Sequence, residues 1–149
     1  MLCSEAVELT YDEFKRPYLK GRSEHISISH SHRWLAVSIH KTDETGVDVE
    51  MIREKVINIK HKFCCEEELE FAQNDSDKLT LLWACKEAIY KVHGKKELEF
   101  KKIKIDKFAV SAEGELNGCI HFGSHLRMYK LMYRKFEGYF LALILHEVR

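Results

Sequence analysis

The chain has 149 residues, enough for one compact domain with its own core, or for one domain and a fragment of another. Hydrophobic residues make up 45% and charged residues 32%, a balance that excludes a disordered chain. Its 24 basic and 24 acidic side chains cancel, which excludes nucleic-acid binding through a broad basic surface.

In chain order, the opening MLCSEAVELT has neither the basic lead nor the apolar stretch of a signal peptide. The only proline, Pro17, sits in the charged, turn-like FKRPYLKGRSE. HISISHSHRWLAVSIH then reads as one strand or two, with Ile26 and Ile28 alternating, followed by Leu35, Val37 and Ile39. KTDET is a turn, and GVDVEMI is a further strand. Residues two apart on a strand share a face, so Val47 and Val49 are expected to face a core, with Asp48 and Glu50 emerging together on the other side. From about Asn58 the period changes, and CCEEELEFAQ reads as a short helix broken by NDSD. SDKLTLLWACKEAIYKVHG has helix signals at both ends, Ser76 or Asp77 as N-cap and Gly94 just past the C-terminus, with Leu79, Leu82, Trp83, Ala88, Ile89 and Tyr90 for packing. The remainder alternates strand-like runs with Gly/Asn turns: KIKIDKFAVS, EGELNG, CIHFG, HLRMYKLMY and EGYFLALILHEV. Its longest apolar run, YFLALIL, is far too short to span a bilayer, so no membrane partner is expected. The five cysteines show no paired spacing, and Cys64 and Cys65 are adjacent, which reads as reduced thiols in a cytoplasmic protein. The fold class is α+β, with helices between a first strand and a later antiparallel set.

Chemistry concentrates in two places. Asp48 and Glu50 are like charges close together, which raise each other's pKa unless something positive stands between them. In WACKEAIYK, residues Trp83, Glu87 and Lys91 recur every fourth position and so line one helix face. If that face packs beside the strand, Glu87 joins Asp48 and Glu50 in a cluster whose burial would cost several kcal/mol uncompensated, on the order of an unpaired buried charge. A hard divalent cation removes that cost, and all-oxygen ligands favour magnesium. Lys86 and Lys91 beside it suit a phosphate arriving with the metal. The competing reading is that Glu87 and Lys91 form an exposed ion pair along the helix.

GVDVE, followed about forty residues later by WACKEAIYK, resembles the signature of the 4'-phosphopantetheinyl transferases. The upstream ISISHS and RPYL resemble two further blocks of the larger, surfactin-synthetase-activating type, and the four blocks occur in that type's order. The resemblance implies transfer of the phosphopantetheine arm of coenzyme A to a serine of an apo acyl or peptidyl carrier protein, with release of 3',5'-ADP. It further implies that Asp48, Glu50 and Glu87 bind magnesium, and that Glu87 also takes the serine proton as general base. Lys91 and Lys86 match the helix lysines, Lys91 being the better placed for pyrophosphate. Ser29 and His30 match a coenzyme-contacting pair, and Arg16 matches the basic residue before proline, near the nucleotide. Trp83 is assigned to packing.

The chain departs from that family in two respects. Where the family block reads Gly-Lys-Pro, this chain has Lys15-Arg16-Pro17. Residues 1–43 correspond to the end of a first lobe only, whereas residues 44–149 look like a complete second lobe carrying the magnesium site. The fold expected is thus phosphopantetheinyl transferase-like, one complete lobe plus the end of another. A strand without its usual neighbours exposes an edge, which predicts a homo-oligomer, for example by strand exchange. A second function is a truncated, non-catalytic family member that binds carrier protein or coenzyme A. A third is the small trimeric holo-acyl-carrier-protein synthase architecture, against which the RPYL and SHS blocks count. Among competing features, His30 and His32, with His25 and His40 nearby, suggest a zinc or copper site that no neighbouring cysteine or carboxylate completes. Cys64-Cys65 reads as a helix start before a redox pair, and the lysine-rich run from Lys95 to Lys107 as a solvated face before a docking surface for acidic carrier-protein helices.

Overall fold

The N-terminal stretch read as turn-like folds into a small hairpin in the computed structural model, which describes residues 6–94 and 97–148. Strand β1 (Leu9–Tyr11) pairs antiparallel with β2 (Pro17–Leu19). The histidine- and serine-rich segment forms two strands, β3 (His25–Ser31) and β4 (Trp34–His40), joined by a tight turn in which His32 takes a φ of 53°. Strand β5 (Val47–Met51) follows. Two short helices then lead into the long one: α1 (Lys55–Ile59), α2 (Glu66–Ala72) and α3 (Ser76–His93). The rest of the chain is β6 (Ile103–Ile105), β7 (Glu113–Phe122), β8 (His125–Phe136) and β9 (Tyr139–Val148).

The last four strands and β5 make one antiparallel sheet in the order β5-β9-β8-β7-β6. Helices and strands thus occupy separate stretches of the chain, as the α+β class requires. EGELNG and CIHFG are one continuous strand, because Gly118 lets β7 pass close under α3: a Cβ there would sit 2.6 Å from Ile89 Cδ1. In the β8–β9 turn, Glu137 and Gly138 both have positive φ, 46° and 79°, the pattern of a tight two-residue hairpin. Among the described residues no helix is long and apolar enough to cross a membrane.

Helix α3 lies across the sheet and supplies its centre. Leu79, Leu82, Ala88 and Ile89 are wholly buried, packing against Ile103, Ile120, Leu131 and Phe140 of the sheet. Each large aliphatic side chain so removed from water contributes about 1.5–3 kcal/mol. The helix begins one residue earlier than expected: Asp75, not Ser76 or Asp77, is the cap, accepting from the backbone N–H of Asp77 (2.9 Å) and Lys78 (3.1 Å). It ends at Gly94 in the left-handed region, φ 64°, as glycine permits. Cys65 caps α2, and its N–H bonds Glu68 Oε2 at 3.0 Å, so the adjacent cysteines do mark a helix start. The four described cysteines are free thiols. Cys3, and Lys95 and Lys96 at the head of the lysine-rich run, lie outside the described residues.

The alternation expected of β5 holds, with both valines buried and both acids on the opposite face, but the larger core lies on the acids' side. Asp48 stands opposite Ala142 of β9, and Glu50 opposite Phe140, both members of the core beneath α3. Cross-strand partners share a face, so the two carboxylates point to the helix side of the sheet. Val47 and Val49 are buried on the other face, outside that core cluster, where the β3–β4 hairpin packs against β5.

Candidate active site

Strand β5 is an edge of the sheet, and its free edge is closed by an unusual device. Ser27, Ser29 and Ser31 of β3 place their hydroxyls where a neighbouring strand's carbonyls would be. Their Oγ atoms accept from the backbone N–H of Val47 (3.1 Å), Val49 (3.2 Å) and Met51 (3.3 Å). Pairing through side-chain oxygens satisfies donors that would otherwise be buried without partners. The alternation of serine in ISISHS was the sequence signal for it, masked by the isoleucines.

Helix α3 closes the other side. Trp83, Glu87 and Lys91 do line one face, and that face meets the acids of β5. Trp83 Nε1 donates to Glu50 Oε1 at 3.1 Å. Lys91 Nζ donates to Asp48 Oδ1 and to the carbonyl of Val47, each at 2.8 Å. The positive group beside Asp48 is therefore an ammonium, and Glu87 is not tied up with Lys91 in a plain surface pair. Trp83 packs on Phe63 and Phe100, centroids 5.0 and 4.8 Å away, but its N–H also holds Glu50, which an assignment to packing alone leaves out.

Asp48 is 3% exposed, and burial raises its pKa above the usual carboxylate value, the charge of Lys91 acting the other way. Glu50 and Glu87 are both pushed up to about 7, first by burial and then by the charge of Asp48. Three carboxyls in mutual repulsion with one ammonium is an arrangement short of positive charge. As they stand, no three acidic, imidazole or thiol groups among the described residues converge closely enough to hold a metal ion. The donor chemistry nonetheless suits a hard cation. Asp48 Oδ1 is taken by two donors, whereas Asp48 Oδ2 is buried with no N–H or hydroxyl donor, the carboxyl of Glu50 bonding Asp48 only while it is protonated. An unsatisfied carboxylate oxygen flanked by two further carboxyls is the kind of ligand set magnesium takes.

A cavity of about 530 Å³ opens beside this cluster, lined by Glu87 and Lys91, by Tyr90 and Gly94 of the helix end, and by Arg16 and Pro17 of the first hairpin. Arg16 is paired with Asp12 (2.9 Å) and lies against Gly94, where a Cβ would come 2.5 Å from its guanidinium. Lys15, which stands where the family block has glycine, keeps a φ of 62°, the region glycine adopts freely.

The remaining expected residues fall elsewhere. Lys86 is wholly buried, donating to Glu68 Oε2 (2.6 Å) and to the carbonyls of Phe63 (2.7 Å) and Phe100 (3.1 Å). With all three protons committed inside the core, it is a structural tie between α2 and α3 and not a phosphate contact. Ser29 is buried and bonded to Val49 and to Asp48 Oδ1 (2.7 Å), so it faces the acids and not the cavity. His30 is exposed, pairs across the hairpin with Leu35, and does not line the cavity. Arg16, Glu87 and Lys91 are brought together around the cavity, and Asp48 and Glu50 adjoin them from β5.

Residues 44–144, more than half of the chain, match the family model described as the 4'-phosphopantetheinyl transferase superfamily. No curated protein matches the chain.

Proposed function

The chain belongs to the 4'-phosphopantetheinyl transferase superfamily, and from that premise we propose that it moves the 4'-phosphopantetheine group of coenzyme A onto a serine of an apo acyl or peptidyl carrier protein in a magnesium-dependent reaction. The observation that carries this reading is the meeting of Asp48 and Glu50 with the face of α3 whose Glu87 and Lys91 also line a cavity large enough for part of a nucleotide coenzyme. Asp48, Glu50 and Glu87 would hold the ion, whose charge offsets that of the pyrophosphate and of the leaving 3',5'-ADP.

The chain's own groups divide the remaining work. The carboxyl of Glu87, raised to about 7 while no cation is bound and lowered again by one, would take the proton of the carrier serine, directly or through water, as its Oγ attacks the phosphorus next to the pantetheine arm. The bond from that phosphorus to the bridging oxygen of 3',5'-ADP breaks, and the nucleotide leaves. Lys91 swings between Asp48 and the pyrophosphate, and Arg16 holds the nucleotide end at the helix terminus. The presence of the Arg16 hairpin and of β3 against β5 supports the surfactin-synthetase-activating type, with residues 1–43 as the end of a first lobe and 44–149 as the second. In this reading the protein is cytoplasmic and a homo-oligomer.

The test is intact-mass spectrometry of an apo carrier protein incubated with the chain, coenzyme A and magnesium, with and without EDTA. A gain of one phosphopantetheine mass that EDTA abolishes is the expected result. No gain, while a known transferase labels the same carrier in parallel, would overturn the reading.

A further inference from the structure

We infer that Ser29 is a positioning residue for Asp48, turning that carboxylate so that one oxygen is spent on the protein and the other is left for the cation. The inference rests on the proposed metal-dependent reading of the site.

The direction of the Ser29 hydrogen bonds follows from its chemistry. A hydroxyl has one proton to give and two lone pairs to receive with. The backbone N–H of Val49 can only donate, so Ser29 Oγ accepts there, at 3.2 Å. Its single proton is then free for Asp48 Oδ1, 2.7 Å away. Lys91 donates to that same oxygen at 2.8 Å. Oδ1 thus carries two donors, and the nearly buried side chain has one further hydrogen-bonding neighbour, the carboxyl of Glu50, which serves only while it holds a proton; once Glu50 ionises, Oδ2 is left to a cation. A carboxylate fixed by one oxygen presents the other in a set direction, which is what a neighbour of a metal ligand does.

Ser27 and Ser31 are natural controls. Each makes the same kind of bond to the β5 backbone, to Val47 and Met51, and neither is bonded to Asp48. Loss of a hydroxyl at 27 or 31 removes an edge bond only; loss at 29 removes an edge bond and the anchor of Asp48. With its proton on Asp48, Ser29 has none to offer a coenzyme phosphate, so this role replaces the coenzyme contact expected of it.

The experiment measures manganese binding to the full chain by electron paramagnetic resonance, and magnesium binding by calorimetry, in Ser29→Ala, Ser29→Thr, Ser27→Ala and Ser31→Ala, with circular dichroism as the check on folding. Ser29→Ala is expected to weaken cation binding by on the order of 10-fold to 100-fold. Ser29→Thr, which keeps the hydroxyl, should stay near the parent chain, as should both controls. Coenzyme A binding in EDTA should be unchanged by Ser29→Ala. If Ser29→Ala does not fold, Ser29→Cys, close in shape but a weak donor, takes its place with the same expectation. Equal cation affinity in Ser29→Ala and Ser27→Ala overturns the inference alone. So does a loss of coenzyme binding in EDTA with cation affinity kept. Absence of cation binding by the parent chain overturns both this inference and the metal-dependent reading.

Discussion

Lys91 Nζ and Asp48 Oδ1 meet at 2.8 Å across the junction of α3 and β5, with the lysine about a quarter exposed and the aspartate almost sealed. The pair is lopsided. Its ammonium is open to bulk water, while its carboxylate is shut off from it. Replacing Lys91 by Met leaves a buried carboxylate without its counter-charge, a change that costs roughly 3 kcal/mol by analogy with other broken buried pairs. Because Lys91 holds the Asp48 pKa down against burial, the penalty should shrink as pH falls and Asp48 takes a proton instead. Urea denaturation of Lys91→Met and the parent chain at pH 8 and pH 5 measures this; a gap that does not narrow at pH 5 would reject the pairing as the cause.

Glu50 and Glu87 give a pH dependence of the opposite kind to that of an ordinary ion-paired acid. Their pKa values rise from 4.5 in the free side chain to about 7 in the fold. Between those limits the native chain keeps protons that the unfolded chain has released, so their contribution to stability is complete below about 4.5 and is lost as pH rises through 7. In EDTA, the melting temperature of the parent should therefore drop between pH 5 and pH 8 more than that of Glu50→Gln or Glu87→Gln, whose amides do not titrate. Magnesium should raise the melting temperature of the parent more at pH 8 than at pH 6, since only the ionised carboxylates hold it. Parallel melting curves for all three chains would contradict the raised values.

Much of this site could be read from the sequence, and the parts that could not have definite causes. The fourfold spacing of Trp83, Glu87 and Lys91 gave the right helix face, because α3 is long and Gly94 ends it. Alternation in GVDVE showed that Asp48 and Glu50 share a side of the strand. It could not say which side faces the helix, because both faces of β5 are covered, one by α3 and the other by the β3–β4 hairpin. Lys86 defeated the reading for a different reason. A helix lysine next to an acidic site looks like a ligand contact, and its true partner, Glu68, lies on another helix, where periodicity carries no information.

The Lys86–Glu68 pair is wholly interior, and Glu68 also accepts from the backbone N–H of Ile105 at 3.1 Å. It joins α2, α3 and β6 at one point. Lys86→Met alone should destabilise by roughly 3–5 kcal/mol, since Glu68 is left buried and unpaired, and Glu68→Gln should cost less because the amide can still accept. The double change Lys86→Met with Glu68→Leu should recover much of the loss. Chemical denaturation of the three chains decides it. If Lys86→Met proves nearly neutral, the lysine is not the interior tie described, and its candidacy as a phosphate contact reopens.

Gly46, immediately before the VDVE strand, decides how near β5 can come to α3. A Cβ at this position would lie 2.0 Å from the backbone oxygen of Ala88 and 2.9 Å from Val92 Cγ2. No rotamer relieves a clash with a backbone oxygen, so Gly46→Ala must push strand and helix apart. Overpacking of this kind costs about 1–3 kcal/mol or somewhat more. The displacement acts where the site is most sensitive, because Lys91 reaches from this same stretch of helix to Asp48 and to the carbonyl of Val47. Gly46→Ala is therefore expected to lower both the unfolding free energy and the protection of the Val47 and Val49 amides from hydrogen exchange. Gly123→Ala is the control. Its Cβ would meet nothing within 4 Å, so it tests the strain of positive φ without any crowding. Loss of amide protection in Gly46→Ala and not in Gly123→Ala supports close approach as the reason for the glycine, and equal effects would remove it.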